Sequence, residues 1–303
     1  MLDLATLGRI LERHGETYAA EVRSFELGGR KFAVGPEPDI MGVINLSPDS
    51  WYRESVCLSS EQAVRRGLRL IAEGAATVDI GAESTLPNAA VIDGEGQCAA
   101  LLPVIRGLCA AGITVSVETY RPEVVRASLE AGARIINLTA AQGTGEMFHM
   151  VADHDAAVIA CFVRGENVRR VSDLDVSGDH GATLYEYFAR QVELAEAAGV
   201  RRLWLDPGMG FYYRNLMDSA ERVRYQMSTF LETFRLRKLG WPTCHALPHA
   251  FEYFEDEVRS AEPFFAVLAI LGRTDLLRTH EVTKVRGVVK AMGCFRGGGG
   301  DGR

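Results

Sequence analysis

The chain has 303 residues, 47% hydrophobic and 24% charged, enough ordinary globular sequence to bury one large core. A net charge of −7 at pH 7 gives little electrostatic support for nucleic acid as a partner, and no apolar run reaches membrane-spanning length. The start lacks the basic-then-apolar order of a signal peptide, and the six cysteines are scattered without a CxxC pair, so the expectation is a cytoplasmic chain with buried or incidental thiols.

Residues 2–15, LDLATLGRILERHG, carry helical spacing through Leu4, Leu7, Ile10 and Leu11. SFELGGRKFAV follows, two short extended runs around Gly28-Gly29 that predict a hairpin. Residues 1–39 are therefore expected to form a helix and hairpin ahead of the main domain.

From Ile40 the pattern becomes strand, loop, helix, repeated. Strands are predicted near 40–45, 76–80, 113–118, 133–137, 157–162, 201–206, 241–246 and 275–279. Helices are predicted near 60–74, 95–111, 122–132, 146–153, 182–199, 217–239, 257–272 and 281–292. Ser59-Ser60 can cap the first of these and Gly74 can close it, while Pro122 suits a first helical turn. Eight strand-helix units over about 250 residues predict an α/β chain folded as a (β/α)₈ TIM barrel across residues 40–293. A doubly wound open sheet is the alternative, but no Gly-rich nucleotide turn follows the first strand. The tail 294–303, ending GGGGDGR, has too little apolar surface to order and is expected to be disordered.

Five of the strands carry a polar group at or near their end: Asn45, Asp79, Glu118, Asn137 and Asp206. In a parallel barrel the active site forms at that edge. Asp206 is followed by Pro207-Gly208, a tight turn that would hold its carboxylate. The bland alternative is that Asp206 and Glu118 cap helices or pair with Arg202 or Arg121. Asp79 and Glu83 are expected to hold backbone amides of the second loop. Trp204, Phe211, Tyr212 and Tyr213 form a stripe that reads as core. His245 and His249 lie four apart with Glu252 beyond. Pro248 between them argues against a helical metal site; a neutral imidazole in the ligand pocket is the expectation for His249.

Five segments occur in order: MGVINLSPDSW (41–51), VDIGAEST (78–85), SVETYRPEVVRASLEAGARIIN (116–137), DPGMGF (206–211) and LLRTHEV (276–282). Together they resemble the dihydropteroate synthase and pterin-binding barrel family over residues 25–292. The resemblance implies a transferase of folate biosynthesis. It would join 6-hydroxymethyl-dihydropterin diphosphate to a 4-aminobenzoate-type arylamine, release diphosphate and use Mg²⁺. It implies that Asp206, Asn137 and Glu118 hold the pterin, with Phe211 beside them. A buried carboxylate can accept two N–H groups from the pyrimidinone edge, and an amide can both donate and accept. Glu118 stands where the synthases usually have Asp. Asn45 matches the asparagine associated with metal and diphosphate, and Arg278 and His280 match the family's Arg-x-His anion pair. A homodimer through helices late in the barrel is also implied, and the apolar stretch Phe264 to Leu271 permits it.

The departures from the synthases concern anions. Leu86 replaces an arginine in the second loop, and the first loop is bulky at Trp51-Tyr52. HALPHAFEYF at 245–254 replaces a Ser-Arg-Lys motif, which puts His249 opposite the lysine and leaves the arginine without a substitute there. Losing one preorganised donor typically costs about 10²–10³ in rate. The loss of two predicts a rate below the normal synthase rate with the normal substrates, unless Arg53, Arg214 or Arg278 compensates; a divergent homologue with a different acceptor is the variant reading. Two other functions remain open: a folate-dependent methyltransferase of the same barrel family, which needs no diphosphate site, and a non-catalytic pterin binder.

Overall fold

The computed structural model describes residues 1–50, 52–84, 89–174, 178–210, 216 and 218–296. Helix α1 (Leu4–Tyr18) starts at Asp3, whose carboxylate accepts from the Thr6 N–H at 2.8 Å. Strands β1 (Phe25–Leu27) and β2 (Arg30–Phe32) form the expected hairpin.

Eight strand-helix pairs and their insertions follow in order. They are β3 (Asp39–Asn45), α2 (Ser60–Glu73), β4 (Thr77–Gly81), α3 (Gly94–Ala110), β5 (Val115–Thr119), α4 (Pro122–Glu130), β6 (Ile135–Leu138) and α5 (Thr144–Asp153). Next come β7 (Ala157–Cys161), a hairpin of β8 (Gly165–Asn167) and β9 (Arg170–Val171), α6 (His180–Ala197), β10 (Leu203–Asp206) and α7 (Ser219–Glu232). The chain then runs through β11 (Cys244–Ala246), α8 (Phe251–Phe254), α9 (Ala261–Leu271), β12 (Leu276–Thr279) and α10 (Val282–Arg296).

The eight long-range strands pair in parallel in the order β10-β7-β6-β5-β4-β3-β12-β11. The ring closes through one bridge, Leu205 to Thr243, with the Leu205 N–H donating to the Pro242 carbonyl at 3.0 Å. This is the (β/α)₈ barrel the sequence predicts, and all eight predicted strands fall on it. The punctuation also works as expected. Ser59 accepts from the Gln62 N–H, and Gly74 closes α2 at φ +115, a backbone region that side chains with a Cβ avoid.

Three local features differ from the sequence expectation. The β8–β9 hairpin interrupts the unit after β7. The helix predicted over 217–239 becomes α7 plus a 3₁₀ stretch, Thr233–Leu239. The helix predicted over 257–272 becomes a 3₁₀ stretch at Glu255–Ser260 followed by α9, and the short α8 precedes both. Helix α10 runs on past residue 293 to Arg296; the remaining tail lies outside the described residues.

Strand alternation sorts the side chains into two cores. Ile40, Ile44, Leu203 and Leu205 point outward to the helices. Met41, Ile135, Ile159, Trp204 and Leu276 point inward, where Leu27 and Phe32 of the hairpin join them. Trp204 packs edge-on to Phe25 and Phe32 at centroid distances of 4.6 and 5.3 Å. The hairpin thus plugs the bottom of the barrel, and the inward residue that follows Trp204 two positions on is Asp206.

The seam at β10–β11 is braced from below. Arg237, buried, makes two hydrogen bonds to the Asp275 carboxylate at 2.8 and 2.9 Å. Asp275 also accepts from the Thr243 N–H at 2.8 Å. The N-terminal segment crosses this region: Arg237 donates to the Ala20 carbonyl and the Arg23 N–H to the Gly240 carbonyl.

Candidate active site

The polar strand ends converge on one pocket at the C-terminal mouth, lined by Asn45, Glu118, Asn137, Asp206, Arg278 and His280 among others. A larger cavity of about 570 Å³ lies elsewhere, beside Arg13, His180 and Arg235. It contains none of the strand-end groups, so the mouth pocket is the candidate site.

The pocket floor is a charge network centred on Asp79. Its carboxylate accepts from Ser116 Oγ at 2.5 Å, from Asn137 Nδ2 at 3.0 Å and from Arg278 Nε at 2.7 Å. Arg278 also donates through Nη2 to Glu118 at 2.5 Å. The expectation that Asp79 holds loop amides is therefore wrong: strand alternation turns it into the barrel, where it is fully buried. Glu83 does that task, accepting from the Ile92 N–H at 3.1 Å, with Gln97 Nε2 and the Tyr120 hydroxyl on its other oxygen.

Asp206 sits beside this network. Gly208, at φ +75, points its N–H at Asp206 Oδ1 at 2.8 Å. Burial pushes the Asp206 carboxyl up to about 7; the Gly208 N–H and Arg278 oppose that rise without cancelling it. Burial likewise raises Glu118, against the pull of Arg278. Neither acid pairs as the bland alternative required. Arg202 bonds to Asp155 at 2.8 Å, and Arg121 lies 3.7 Å from Glu123. Asn137 donates to Asp79 and accepts from the Cys161 thiol at 3.3 Å.

A second cluster forms the wall above β12. Glu262, at the start of α9, is fully buried. One of its oxygens accepts from the Thr279 hydroxyl, the His280 N–H at 2.9 Å and the Glu281 N–H at 3.2 Å. The other lies 2.7 Å from His280 Nδ1 and 3.4 Å from His249 Nε2. Burial alone would raise the Glu262 carboxyl, but the imidazoles and the Thr279 hydroxyl hold it down to about 2. Burial lowers His249 to about 3, so this imidazole is neutral at pH 7. The Tyr52 ring stacks on both imidazoles, 4.4 Å from His280 and 5.4 Å from His249, and its hydroxyl donates to Glu281.

The His245, His249 and Glu252 set does not assemble. His245 is buried on the outer face with Thr233 Oγ1 2.6 Å from its Nε2, and Glu252 accepts from Arg222 at 2.6 Å. The α7 residue Arg222 lines the pocket, so a cation does reach the region where the Ser-Arg-Lys motif is missing, from a different element. Arg53 does not compensate in the pocket; it donates to the Pro48 carbonyl. Leu86, Phe211, Tyr212, Tyr213 and Arg214 lie outside the described residues. Trp204 is core, as expected.

Asn45 ends β3 with its amide donating to Ser55 Oγ at 2.5 Å and lying 3.5 Å from His280 Nε2. It therefore offers a cation one amide oxygen. Mg²⁺ prefers octahedral oxygen ligands, commonly carboxylates with substrate phosphates. The donors here fit Mg²⁺ only as an ion that diphosphate brings with it.

Sequence reasoning missed Glu262, Tyr52, Arg222 and Arg169. Glu262 left a signal, an acid at the head of an otherwise apolar helix, AEPFFAVL. Arg169 sits at the unpredicted hairpin turn and donates to the Ser84 and Ala89 carbonyls at 2.9 and 2.7 Å. It clamps both described ends of the second loop.

Comparison with known proteins agrees with this geometry. The family model described as pterin binding enzyme matches residues 41–247. The dihydropteroate synthase of Streptococcus pyogenes is 31% identical over 216 residues, covering 70% of this chain and 75% of that protein. That of Synechocystis is 28% identical over 276 residues, covering 87% and 92%. A solved structure of Xanthomonas albilineans dihydropteroate synthase with 4-aminobenzoic acid superimposes with a TM-score of 0.74 at 29% identity, covering 91% of this chain and 98% of that one. Another from the same organism, in complex with 7,8-dihydropteroate, gives 0.71 at 27% identity, covering 90% and 99%. No described helix is long and apolar enough to cross a membrane. With the barrel, the polar strand ends and a match over more than two thirds of its length, the chain belongs to the pterin-binding enzyme family.

Proposed function

We propose that the protein is a dihydropteroate synthase-like transferase that grips a pterin at the barrel mouth and joins its methylene to an arylamine-type acceptor, with loss of diphosphate. The observation that carries this reading is the convergence of a buried acid, Asp206, and a buried amide, Asn137, on one pocket floor. An ionised Asp206 accepts two N–H groups from the pyrimidinone edge, Asn137 pairs with the next edge position, and Glu118 reaches the ring from β5. Relatives solved with 4-aminobenzoic acid and 7,8-dihydropteroate support the same substrate classes.

Diphosphate handling rests on Asn45, Arg278 and His280. Mg²⁺, held through Asn45 and the diphosphate itself, would neutralise the charge that builds on the leaving group. His249 lines the pterin pocket as a neutral imidazole in place of lysine, and Arg222 brings a cation to the same pocket from α7. Six free thiols support a cytoplasmic setting, and exposed Phe264, Leu271 and Phe295 support a homodimer through the late helices.

One observation favours a second reading. Arg278 spends its charge on Asp79 and Glu118, which weakens the anion site and suits a folate methyltransferase or a plain pterin binder. Calorimetry with pterin diphosphate, plain pterin and methyl-tetrahydrofolate separates these. The synthase reading expects the diphosphate to tighten binding when Mg²⁺ is present. Equal affinity for pterin with and without the diphosphate would sink it.

A further inference from the structure

We infer that His249, Glu262 and His280 form a binding site for one divalent transition cation of the Zn²⁺ class, distinct from any Mg²⁺ at Asn45. The three ligand atoms lie within 4.8 Å of one another. They come from three separate elements: the loop after β11, the head of α9 and the end of β12. Two imidazole nitrogens and one carboxylate oxygen are the donor set of open Zn²⁺ and related sites, and they are poor partners for Mg²⁺.

The spacing supports a shared ion better than direct hydrogen bonding alone. The 3.4 Å between His249 Nε2 and Glu262 is long for a hydrogen bond from a buried imidazole. With metal–ligand bonds of roughly 2.0–2.2 Å, tetrahedral ligands stand about 3.4 Å apart. His249 and Glu262 already have that separation. His280 Nδ1, at 2.7 Å from the carboxylate, needs to move back by roughly 0.7 Å.

Around Glu262 the surroundings are arranged as an outer shell would be. The second Glu262 oxygen is fixed by the Thr279 hydroxyl and two backbone N–H groups, which orients the first toward the imidazoles. The Tyr52 ring covers both imidazoles on one side. His249 and His280 also line the pterin pocket beside Asn45 and Arg278. Three protein ligands leave a coordination position for an exogenous oxygen. A cation there would restore positive charge at the wall where the usual lysine and arginine are missing. Metal uptake itself does not depend on the synthase reading; only this last role does.

The test uses untagged, chelator-stripped full-length protein titrated with Co²⁺, read by visible d–d absorption and by equilibrium dialysis with metal analysis. The expected result is one saturable equivalent per chain, displaced by Zn²⁺ and untouched by excess Mg²⁺. Removing a direct ligand should weaken uptake by more than the roughly 10–100-fold that loss of an outer-shell partner costs. His249→Ala and Glu262→Gln are both expected to show this. Glu262 is buried, so circular dichroism checks its variant's fold, and His249→Ala alone decides the matter if Glu262→Gln fails to fold. No saturable equivalent in the parent, or a His249→Ala protein that binds as the parent does, overturns the inference. Pterin binding measured on the same stripped protein keeps failure here separate from failure of the synthase reading.

Discussion

Asp206 has a carboxyl lifted from an ordinary 3.8 to about 7 by burial, and both binding and stability should record it. The pyrimidinone edge donates hydrogens, so only the ionised acid serves it well. Pterin affinity should therefore rise with pH, changing by roughly tenfold per unit well below pH 7 and levelling above it. Asp206→Asn should weaken pterin binding by about 10–100-fold and flatten that profile, measured by calorimetry across pH 5–8.5. For stability the sign is opposite. The folded pKa exceeds the unfolded one, so the neutral acid's contribution is complete below about 4 and is lost as pH rises through 7. Asp206→Asn should accordingly gain up to about 2–4 kcal/mol over the parent at pH 8 and nothing at pH 4, by denaturant titration. Asn137→Ala has a different effect. It removes a donor from buried Asp79 as well as the ligand's amide, so it should cost both affinity and about 1–3 kcal/mol of stability.

At the scale of elements, the barrel separates what holds it from what it holds. The hairpin plug and the pocket sit at opposite ends of the same inward-facing column. Phe32→Ala should cost about 3–5 kcal/mol through a cavity beside Trp204 while leaving pterin affinity unchanged, read by thermal melts and calorimetry on one preparation. Arg237→Met strands the buried Asp275 carboxylate under the seam and should cost a similar amount, about 3–5 kcal/mol. The elements were legible in the sequence because five of the parallel strands are apolar runs with a polar group at or near the end, and several helices carry their own caps. Asp206, Asn137, Glu118 and Asn45 could be found for the same reason: each sits on or beside a strand end that local pattern locates. What could not be read was pairing across the fold. Arg278 meets Asp79 from 199 residues away, and Glu262 meets His280 from the neighbouring helix. Asp79 was misassigned because its strand's inward face, which decides its role, depends on register with β3 and β5. The β8–β9 hairpin escaped notice because its strands are three and two residues long.

For the molecule as a whole, acidic charge and family membership fit a small-molecule enzyme, and the late helices leave apolar surface exposed. Phe264 and Leu271 are each 38% accessible on α9. If that face joins two copies, Phe264→Glu should halve the mass seen by sedimentation while the isolated barrel keeps its melting behaviour. The family's usual acceptor carries a carboxylate, and Arg222, a cation that lines the pocket here, bonds to Glu252. Arg222→Leu should therefore raise the acceptor's KM more than it lowers kcat if the acceptor is anionic, and change neither if it is neutral.

Among the eight strand junctions, the one between β10 and β11 rests on a single bridge, and the amide that makes it belongs to Leu205, next to Asp206. Breathing of the ring should start there, and each opening would swing the acid off its mark. Deuterium should enter the Leu205 amide sooner than its counterparts in β4 or β5. A bound heterocycle, by fastening Asp206, should slow that uptake more than any other, so the same proton reports both the weakest stave of the barrel and the occupancy of its mouth.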